Sequence, residues 1–336
     1  MPSITQAYKK FSLLFLVLLL VACQNEPALQ RIQGDALGTT YSILYVDNQP
    51  NETLAEAVDA VFLRANQSMS TYWPNSIISK INRDEAIKID KDFRQVFAAA
   101  RAVWQATDGF FDPTVGALVN AYGFGPDQAL PSITVAALDS IMQFTGFEKL
   151  RLQDGYVVKE DPRVYIDFNA IGKGYAVDEL AKALENLGYS NFLVEVGGEL
   201  FAKGVHPLKN IPWRVAIDHP EQNAKRKFIA TLPLQNQGLA SSGNYRKFRT
   251  DASGKRYVHT VNPKTGETVQ SNVLSTSVLA PSTMLADAYA TALMTMPYKS
   301  GKEMILGLEG IDAMWVLAEK DTLGVTATSG FVFDRQ

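Results

Sequence analysis

The chain has 336 residues, of which 46% are apolar and 20% are charged, and this composition is typical of a folded protein of one large or two small domains. Its 32 basic and 35 acidic residues give a formal net charge of −3 at pH 7. No long basic run marks a surface for nucleic-acid phosphates, so nucleic acid is not an expected partner. The single cysteine excludes an intramolecular disulfide and a cysteine-based zinc or iron–sulfur site.

The first 22 residues have the features of an export signal. Lys9 and Lys10 precede an apolar run from Phe11 to Val21, and no acidic residue occurs before Cys23. This run of about 11 residues is too short to cross a bilayer, which takes roughly 20 residues. We therefore expect a signal peptide at residues 1–22.

The order Leu20-Val21-Ala22-Cys23 resembles the bacterial lipobox, in which the cysteine is acylated and becomes the new N-terminus. The resemblance implies a lipoprotein with a lipid such as palmitate on Cys23, anchored to the inner or outer membrane of the cell envelope and facing the periplasm. Gln24 in place of an aspartate favours the outer membrane, by resemblance to Gram-negative lipoproteins. An ordinary signal peptide with a chance cysteine is the alternative. We expect a tether at 23–31 and a folded domain at 32–336.

Apolar spacing predicts the helices and strands of this domain. Residues at 3.6-residue spacing predict helices over 54–65, 93–104, 177–187 and 282–296,. We expect the last three of these helices to end at Gly109, Gly188 and Pro297, respectively. Apolar and β-branched runs predict strands at 164–168, 192–196, 213–217, 227–232, 257–261, 274–279 and 313–318,.

These elements predict an α+β fold, in which mixed and largely antiparallel sheets pack against helices. Several strands are joined by short turns, such as Asn262-Pro263-Lys264-Thr265-Gly266, and short turns connect antiparallel strands. No predicted strand is followed by a Gly-x-Gly-x-x-Gly turn that opens a helix. A Rossmann dinucleotide site is therefore not expected.

A carboxylate and a glycine-rich turn occur close together between Tyr165 and Tyr175. Asp167 lies at the end of a predicted strand, and Gly172-Lys173-Gly174 opens the helix that follows. Free N–H groups at a helix start, with a lysine among them, suit the oxygens of a phosphate group. The segment indicates a phosphate-bearing ligand, and a solvated turn with a surface lysine is the alternative.

Two oxygen-bearing side chains share one face of the last predicted helix. Asp287 and Thr291 are four residues apart, which places them on the same side of a helix. Mg²⁺ prefers hard oxygen ligands, keeps several waters and recruits substrate phosphates, so a sparse protein shell suits it. The pair indicates a magnesium site. Alternatively, Asp287 is a solvated or early-helix acid and Thr291 bonds back to its own helix.

His259 is the histidine best placed for acid–base chemistry. It lies in a predicted strand that leads into the turn at 262–266, whereas His206 and His219 each precede a proline and are interpreted as structural or surface residues. Histidine is the usual general base near neutral pH. His259 is therefore the candidate base, and a half-buried strand residue is the alternative.

Two aromatic stretches are candidates for the wall of a pocket that holds a flat ring. One runs from Asp108 to Gly116 and continues to Pro126, and the other spans 68–74. Aromatic residues line such pockets, but they are also common in ordinary cores. Each stretch alone leaves both interpretations open.

Taken in order, these segments resemble the ApbE family of FAD:protein FMN transferases over essentially the whole mature chain. The resemblance begins at Gly38-Thr39-Thr40-Tyr41 and extends to Thr291 and beyond. Its motifs are 69–72, 111–116, 123–126, Asp167 to Gly174, Val196-Gly197-Gly198-Glu199-Leu200, Ser241-Ser242-Gly243, His259 to Gly266, and Ala286-Asp287 with Thr291. No single motif is specific, but their combination in the family's order is.

The resemblance implies an FAD pocket between two subdomains, with Mg²⁺ on the pyrophosphate of FAD. Carried over by position, the residues lining the FAD site are Leu37, Tyr72, Phe110, Phe111, Asp112, Asp167, Lys173 and Val261. The implied metal ligands are the side chains of Asp287 and Thr291 and the main-chain carbonyls of Ala170 and Ala290. His259 is the implied base.

The implied reaction uses FAD as a substrate. A threonine or serine hydroxyl of an acceptor protein attacks the phosphorus on the FMN side, His259 takes its proton, and AMP leaves. The implied acceptors are flavin-carrying subunits of envelope electron-transfer complexes, such as sodium-pumping NADH:quinone oxidoreductase. The alternatives are an FAD pyrophosphatase that releases FMN and AMP, and a flavin-binding lipoprotein without catalysis.

Two positions depart from the family's pattern. Leu37 stands where methionine is frequent, which is a volume-conserving exchange. Asn262 stands where relatives usually have aspartate. Asparagine still hydrogen-bonds the turn, but it brings no charge to the metal or to His259. A shifted pH optimum is the hypothesis that follows.

Overall fold

A computed structural model of the chain describes residues 27–220, 226–244, 248–250, 256–320 and 322–336. The expected signal peptide and the expected lipidation residue Cys23 lie outside the described residues. The first strand, β1, begins at Ala28, so it takes in the last residues of the segment expected to be a tether. In the described ranges, no helix has the length and apolar character needed to cross a membrane.

Helices and strands alternate irregularly along the chain, which agrees with the predicted α+β class. The described helices are α1 (Glu52–Met69), α2 (Ile77–Asn82), α3 (Lys91–Ala106), α4 (Gly116–Ala121), α5 (Val135–Met142), α6 (Gly172–Asn186), α7 (Thr283–Thr295) and α8 (Tyr298–Leu306), with a 3-10 turn at Phe147–Lys149. The described strands are β1 (Ala28–Ala36), β2 (Thr39–Asp47), β3 (Leu150–Gln153), β4 (Tyr156–Lys159), β5 (Phe192–Val196), β6 (Glu199–Lys203), β7 (Trp213–Asp218), β8 (Phe228–Leu234), β9 (Gln237–Gly243), β10 (Phe248–Thr250), β11 (Arg256–Val258), β12 (Val273–Ala280), β13 (Asp312–Glu319), β14 (Thr322–Ala327) and β15 (Asp334–Arg335). All four predicted helices are present, as α1, α3, α6 and α7.

The largest sheet in the described part of the chain has eight strands in the order β1-β2-β5-β6-β9-β12-β13-β14. Every neighbouring pair in it is antiparallel. Smaller sheets are formed by β15-β8-β7, by β10-β11 and by β3-β4, and these pairs are antiparallel as well. The predicted antiparallel character of the fold is confirmed.

Side chains alternate across the eight-stranded sheet and bury both of its faces. On β13, Trp315 packs in the core that includes α3 and α7, whereas Met314 and Val316 pack with the three-stranded sheet. This alternation follows from the two-residue period of a strand. The sheet therefore lies between a layer of helices and a second, smaller sheet.

α7 is the most deeply buried of the described helices. It packs against β9, β12 and α6, and nearly all of its residues are inaccessible to solvent. Its apolar residues surround the helix on all sides, as is typical of a helix inside a core. A polar residue on α7 is therefore placed in a protected environment.

The predicted strand at 164–168 is wrong. Only Tyr165 forms a bridge, with Val115. The neighbouring main-chain groups are satisfied by other partners: the N–H and C=O of Ile166 bond to the side-chain amide of Asn82, and the N–H of Asp167 donates to the carbonyl of Pro113. These bonds replace a strand ladder, because they satisfy the same main-chain groups.

α6 and α7 approach each other closely at Gly174. A Cβ atom added there would lie 2.4 Å from the main-chain oxygen of Thr283, a distance at which the backbone must move. At Gly172, two residues earlier, an added Cβ would meet no atom within 4 Å. The absence of a side chain at Gly174 thus sets the separation of the two helices.

Gly174→Ala should lower the free energy of unfolding by about 1–3 kcal/mol, because the added methyl group overpacks the contact between α6 and α7. Gly172→Ala is the matched control and should be neutral or stabilising by up to about 1 kcal/mol. Urea denaturation of both variants measures the difference. Equal stabilities would contradict the close contact.

Candidate active site

The N-termini of α6 and α7 meet, and each helix supplies a carboxylate to the other. Asp178 of α6 accepts hydrogen bonds from the main-chain N–H groups of Thr283 (2.7 Å) and Met284 (3.0 Å) at the start of α7. Asp287 of α7 accepts one from the N–H of Gly174 (3.1 Å) in the first turn of α6. The first N–H groups of a helix have no partner within the helix, so these contacts satisfy groups that the helices themselves leave open.

Two helix N-termini that face each other bring two partial positive charges together. The carboxylates of Asp178 and Asp287 offset this repulsion. Burial raises the pKa of the Asp178 carboxyl to about 6, although its hydrogen bonds from Met284 and Thr283 act in the opposite direction. Asp287 is 3% exposed, so the alternative that it is a solvated acid is wrong.

Lys173 lies between two acidic side chains. Its Nζ is 3.3 Å from Oε1 of Glu199 and 3.8 Å from Oδ2 of Asp287. Burial alone lowers the pKa of Lys173, but Asp287 and Glu199 together raise it above its usual value. Lys173 therefore stays charged, and its two ion pairs argue against the alternative of a solvated turn with a surface lysine. Burial raises the pKa of the Glu199 carboxyl above its usual value, although the neighbouring Lys173 acts in the opposite direction.

The oxygen atoms implied as metal ligands on α7 have partners on the neighbouring strands. The Thr291 hydroxyl lies 3.2 Å from the Ser242 hydroxyl of β9. The Thr276 hydroxyl of β12 donates to the main-chain carbonyl of Ala290 at 2.8 Å. The alternative in which Thr291 bonds to its own helix is therefore not what the structure shows.

This donor set fits Mg²⁺ better than a transition metal. Asp287, Thr291 and the carbonyl of Ala290 offer only hard oxygen atoms, and Ala170 lies four residues before Gly174, whose N–H contacts Asp287. Among the described residues, no group of three or more His, Cys, Asp and Glu side chains is arranged to hold a metal ion. A single carboxylate with neutral oxygens suits an ion that retains waters and binds substrate phosphates.

A short segment at the end of β9 connects His259 to α7. Ser242 contacts Thr291, and two residues later the Asn244 side chain accepts a 2.6 Å hydrogen bond from Thr260, the residue after His259. Two residues of extended chain span about 7 Å. These contacts link the segment that contains His259 to the part of α7 that carries Thr291. His259 follows β11, and its ring lies 6.4 Å from that of Phe124.

Tyr72 lies on the solvent side of this region. Its side chain is 58% exposed, and its hydroxyl donates to the carbonyl of Phe124 at 3.4 Å. Partial burial and, secondarily, the Asp167 carboxylate raise the pKa of Tyr72. Tyr72, Phe124 and His259 therefore form a connected aromatic surface.

The segment 110–112 is held in place by buried hydrogen bonds. The Asp112 carboxylate accepts from the N–H and hydroxyl of Thr114 and from the N–H of Phe147, and burial raises its pKa. Phe111 is buried in the main core, whereas Phe110 is only partly buried and has Lys264 Nζ 5.6 Å from its ring centre. Of the three residues, Phe110 is the one whose ring is accessible.

The other residues implied for FAD binding have different degrees of exposure. Asp167 is buried, accepts from the N–H of Asn169 and has its pKa raised by burial. Val261 is buried beside Leu118 and Tyr122. Leu37 has a φ of +51° in the β1–β2 turn. Its side chain packs against the core that includes α3 and α7 and against the core between α1, α6, β2 and β5. An open recess of about 400 Å³ lies beside this turn, lined by Asp35, Ala36, Gly38, Thr39 and Thr40.

Asn262 stabilises the turn in which it lies. Its side-chain oxygen accepts from the N–H of Lys264 at 2.9 Å, and its carbonyl accepts from Gly266 at 2.8 Å. The asparagine thus hydrogen-bonds the turn as expected. The proposed effect of the missing charge on pH dependence stays a prediction.

His206 is one of the histidines interpreted as structural. The centre of its ring lies 5.0 Å from that of Trp213.

The protein is of the α+β class, and in its candidate site a helix N-terminus with a lysine faces a buried carboxylate. A helix N-terminus with a lysine suits a phosphate-bearing ligand. The ApbE family model matches residues 37–315. The chain belongs to the ApbE family.

Individual relatives agree over most of the chain. A Haemophilus influenzae protein named FAD:protein FMN transferase is 35% identical over an alignment of 323 residues, and the match covers 92% of this chain and 89% of the relative. The solved structure of the flavin transferase ApbE from Vibrio cholerae has a TM-score of 0.81 and 32% identity, covering 91% of this chain and 98% of that chain. The apo form of the Pseudomonas stutzeri flavinyl transferase ApbE has a TM-score of 0.79 and 30% identity, covering 91% and 96%.

Residue-by-residue reasoning from the sequence missed Asp178 and used Glu199 only as part of a motif. Asp178 lies one residue after Val177 in a helix whose apolar positions predicted its buried face. An acid on such a face was the available signal, because charged residues are seldom buried without a partner. For Glu199 no comparable signal exists, since its contact with Lys173 depends on the tertiary fold.

Asp178→Asn should lower the free energy of unfolding at pH 7 by about 1–3 kcal/mol, because one amide oxygen replaces two acceptors and leaves a buried N–H group unsatisfied. Asp139→Asn, at an exposed position of α5, is the control and should have little effect. Urea denaturation at pH 7 measures both. An Asp178→Asn variant as stable as wild type would contradict the capping role.

The same pair of proteins tests the raised pKa of Asp178. Because its folded pKa of about 6 exceeds the unfolded value of 3.8, the protonation-dependent part of its contribution to stability is full below the unfolded value and is lost as the pH rises through 6, while the hydrogen bonds from Thr283 and Met284 remain,. The stability difference between wild type and Asp178→Asn should therefore be larger at pH 4 than at pH 7, by about 1–3 kcal/mol. A difference independent of pH would argue against this shift.

Proposed function

We propose that this protein transfers FMN from FAD to a hydroxyl group of an acceptor flavoprotein and that Mg²⁺ bound at Asp287 supports the reaction. Membership of the ApbE family and similarity to proteins named FAD:protein FMN transferase support the transferase activity. The observation that carries the site assignment is the contact between the α6 N-terminus and Asp287. It brings an anion-binding element and a cation-binding carboxylate together.

The two charged components of this contact suit the pyrophosphate of FAD. Lys173 and the N-terminal N–H groups of α6 bind and orient phosphate oxygens, since a helix N-terminus favours anions. Asp287, Thr291 and the carbonyls of Ala170 and Ala290 would hold Mg²⁺. When bound, this ion offsets the negative charge that gathers on the pyrophosphate oxygens.

His259 accepts the proton in the proposed reaction. The acceptor hydroxyl oxygen forms a bond to the FMN-side phosphorus, the bond between that phosphorus and the bridging oxygen breaks, and AMP leaves. The hydroxyl proton moves to His259. Nδ1 of this ring is buried, and Nε2 is the proton acceptor that we propose.

Water is the competing nucleophile at this site. Tyr72 and Trp73 are 58% and 42% exposed, so the surface that includes Tyr72, Phe124 and His259 is open to solvent on one side. The same reaction with water gives FMN and AMP. Transfer is therefore selective only when the acceptor covers this surface and excludes water.

We also propose that the enzyme is anchored in the cell envelope through a lipid on Cys23, faces the periplasm, and modifies flavin-carrying subunits of electron-transfer complexes such as sodium-pumping NADH:quinone oxidoreductase. The lipobox-like sequence around Cys23 supports the anchor. Because β1 begins at Ala28, the intervening chain reaches at most about 18 Å from Cys23. The start of β1 would thus lie close to the membrane surface.

The test of the proposed function is intact-mass spectrometry of a candidate acceptor domain after incubation with the protein, FAD and Mg²⁺, with AMP followed in the same sample. A mass gain of one FMN moiety with matching AMP supports the transferase. AMP and free FMN with no mass gain, over a panel of acceptors, would instead support the pyrophosphatase. Absence of AMP in every sample would support the third hypothesis, a flavin-binding protein without catalysis.

His259→Ala should retain FAD binding and lose most of the transfer activity, typically 10²- to 10⁴-fold for a general base. FAD binding is measured by quenching of flavin fluorescence, and transfer by the mass assay. A folded variant that no longer binds FAD would show that His259 is a binding residue.

Asp287→Ala should abolish Mg²⁺-dependent turnover, because it removes the only charged ligand in the proposed set. Calorimetric titration with Mg²⁺ measures the loss of the metal site directly, and Asp139→Asn is again the control. Full activity of Asp287→Ala, at the wild-type Mg²⁺ requirement, would overturn the metal assignment.

A further inference from the structure

Glu199 is a buried carboxylate that has no role in the reaction described so far. It begins β6 and is 4% exposed. Its Oε1 lies 3.3 Å from Nζ of Lys173, whereas its Oε2 is buried without a hydrogen-bond partner among the described residues. A buried charge is costly unless it is paired, so the contact with Lys173 is what keeps this carboxylate in place.

The three charged residues of this cluster come from three different elements. Lys173 lies at the start of α6, Asp287 lies on α7, and Glu199 follows the Gly197-Gly198 turn that joins β5 to β6. In that hairpin Glu199 pairs with Val196. Because each backbone is fixed by its own packing, the carboxylate of Glu199 holds a defined position against the lysine.

Lys173 and a divalent cation compete for the same carboxylate. The ammonium group is 3.8 Å from Oδ2 of Asp287, and both cations are attracted to that oxygen. A second carboxylate on the far side of the ammonium group reduces this competition, because Lys173 then has a partner that is not a metal ligand. In the structure the Glu199 contact is the shorter of the two.

We propose that Glu199 is a positioning residue: it holds the ammonium group of Lys173 so that Asp287 is available to the cation and Lys173 is available to the phosphate oxygens. The inference rests on the proposed function, because it presupposes a cation at Asp287. In this proposal Glu199 is a ligand of neither the cation nor FAD. Its effect on both passes through Lys173.

The experiment compares the full-length protein in detergent with Glu199→Gln, Lys173→Met and the double variant. Calorimetric titration with Mg²⁺ alone gives the metal affinity, and quenching of flavin fluorescence gives the FAD affinity. Glutamine keeps the shape of the side chain and removes its charge. Glu195→Gln is the matched control, because Glu195 lies in the same hairpin and accepts from the N–H of Gly198, with no contact to Lys173.

Glu199→Gln should weaken Mg²⁺ binding by about 10- to 100-fold, as is typical for residues that orient the surroundings of a metal ligand. In the Lys173→Met background the same substitution should change Mg²⁺ binding by less than about 3-fold, since the competing ammonium group is gone. FAD affinity should fall in Glu199→Gln and not in Glu195→Gln. This dependence on Lys173 is a readout that a merely structural role would not produce.

Wild-type Mg²⁺ affinity in Glu199→Gln would overturn the inference and leave the proposed function intact. An equal loss of affinity with and without Lys173 would also overturn it, because Glu199 would then act on the cation directly. If the wild-type protein binds no Mg²⁺, the metal assignment itself fails and the inference fails with it. Thermal unfolding checks the fold of each variant, and Glu199→Asp, which retains the charge, replaces Glu199→Gln if the latter does not fold.

Discussion

The site depends on the contact between α6 and α7, in which a carboxylate of each helix accepts hydrogen bonds from the N-terminal N–H groups of the other. Asp178 accepts from the first two N–H groups of α7, and Asp287 accepts from Gly174 of α6. Without these acids, two partial positive charges and several unsatisfied N–H groups would face each other in a buried position. Gly174 permits the approach, because any side chain there would meet the backbone of Thr283. The helices are thus held together by the same groups that make the site suitable for a phosphate and a cation.

Periodicity predicted the elements that bury a continuous apolar face, and it failed where other interactions decide the backbone. The helices around Phe93 and Leu180 have clear stripes and are present as α3 and α6. β1 and β2 were not predicted, because half of their residues face a partly solvated surface and their apolar pattern is weak. The segment 164–168 has a strand-like composition, but the Asn82 side chain takes the main-chain bonds of Ile166. Such a long-range competitor is invisible to a local pattern.

The candidate site was predictable to the extent that its residues are close in sequence. The four-residue spacing of Asp287 and Thr291 placed both on one side of α7, and the Gly-Lys-Gly turn placed Lys173 at a helix start. The contact that joins these two segments spans 113 residues, and the resemblance to the ApbE family was needed to associate them. Glu199 shows the limit of this reasoning. Its relevance follows from a distance to Lys173 that only the fold supplies.

The two ends of the site differ in their exposure to solvent, and this difference bears on selectivity. At one end, Asp287 and Glu199 are buried, so their charges interact strongly with a cation and with Lys173. At the other end, His259 adjoins Phe124 and the exposed Tyr72. In the proposed reaction, Lys173 and the N-terminus of α6 hold the phosphates, and the position of the nucleophile adjoins the exposed Tyr72. An acceptor that packs against Tyr72 would both deliver its hydroxyl group and displace water. In the proposed reaction, the ratio of transfer to hydrolysis therefore depends on how completely the acceptor covers the aromatic surface, rather than on the affinity of the protein for FAD.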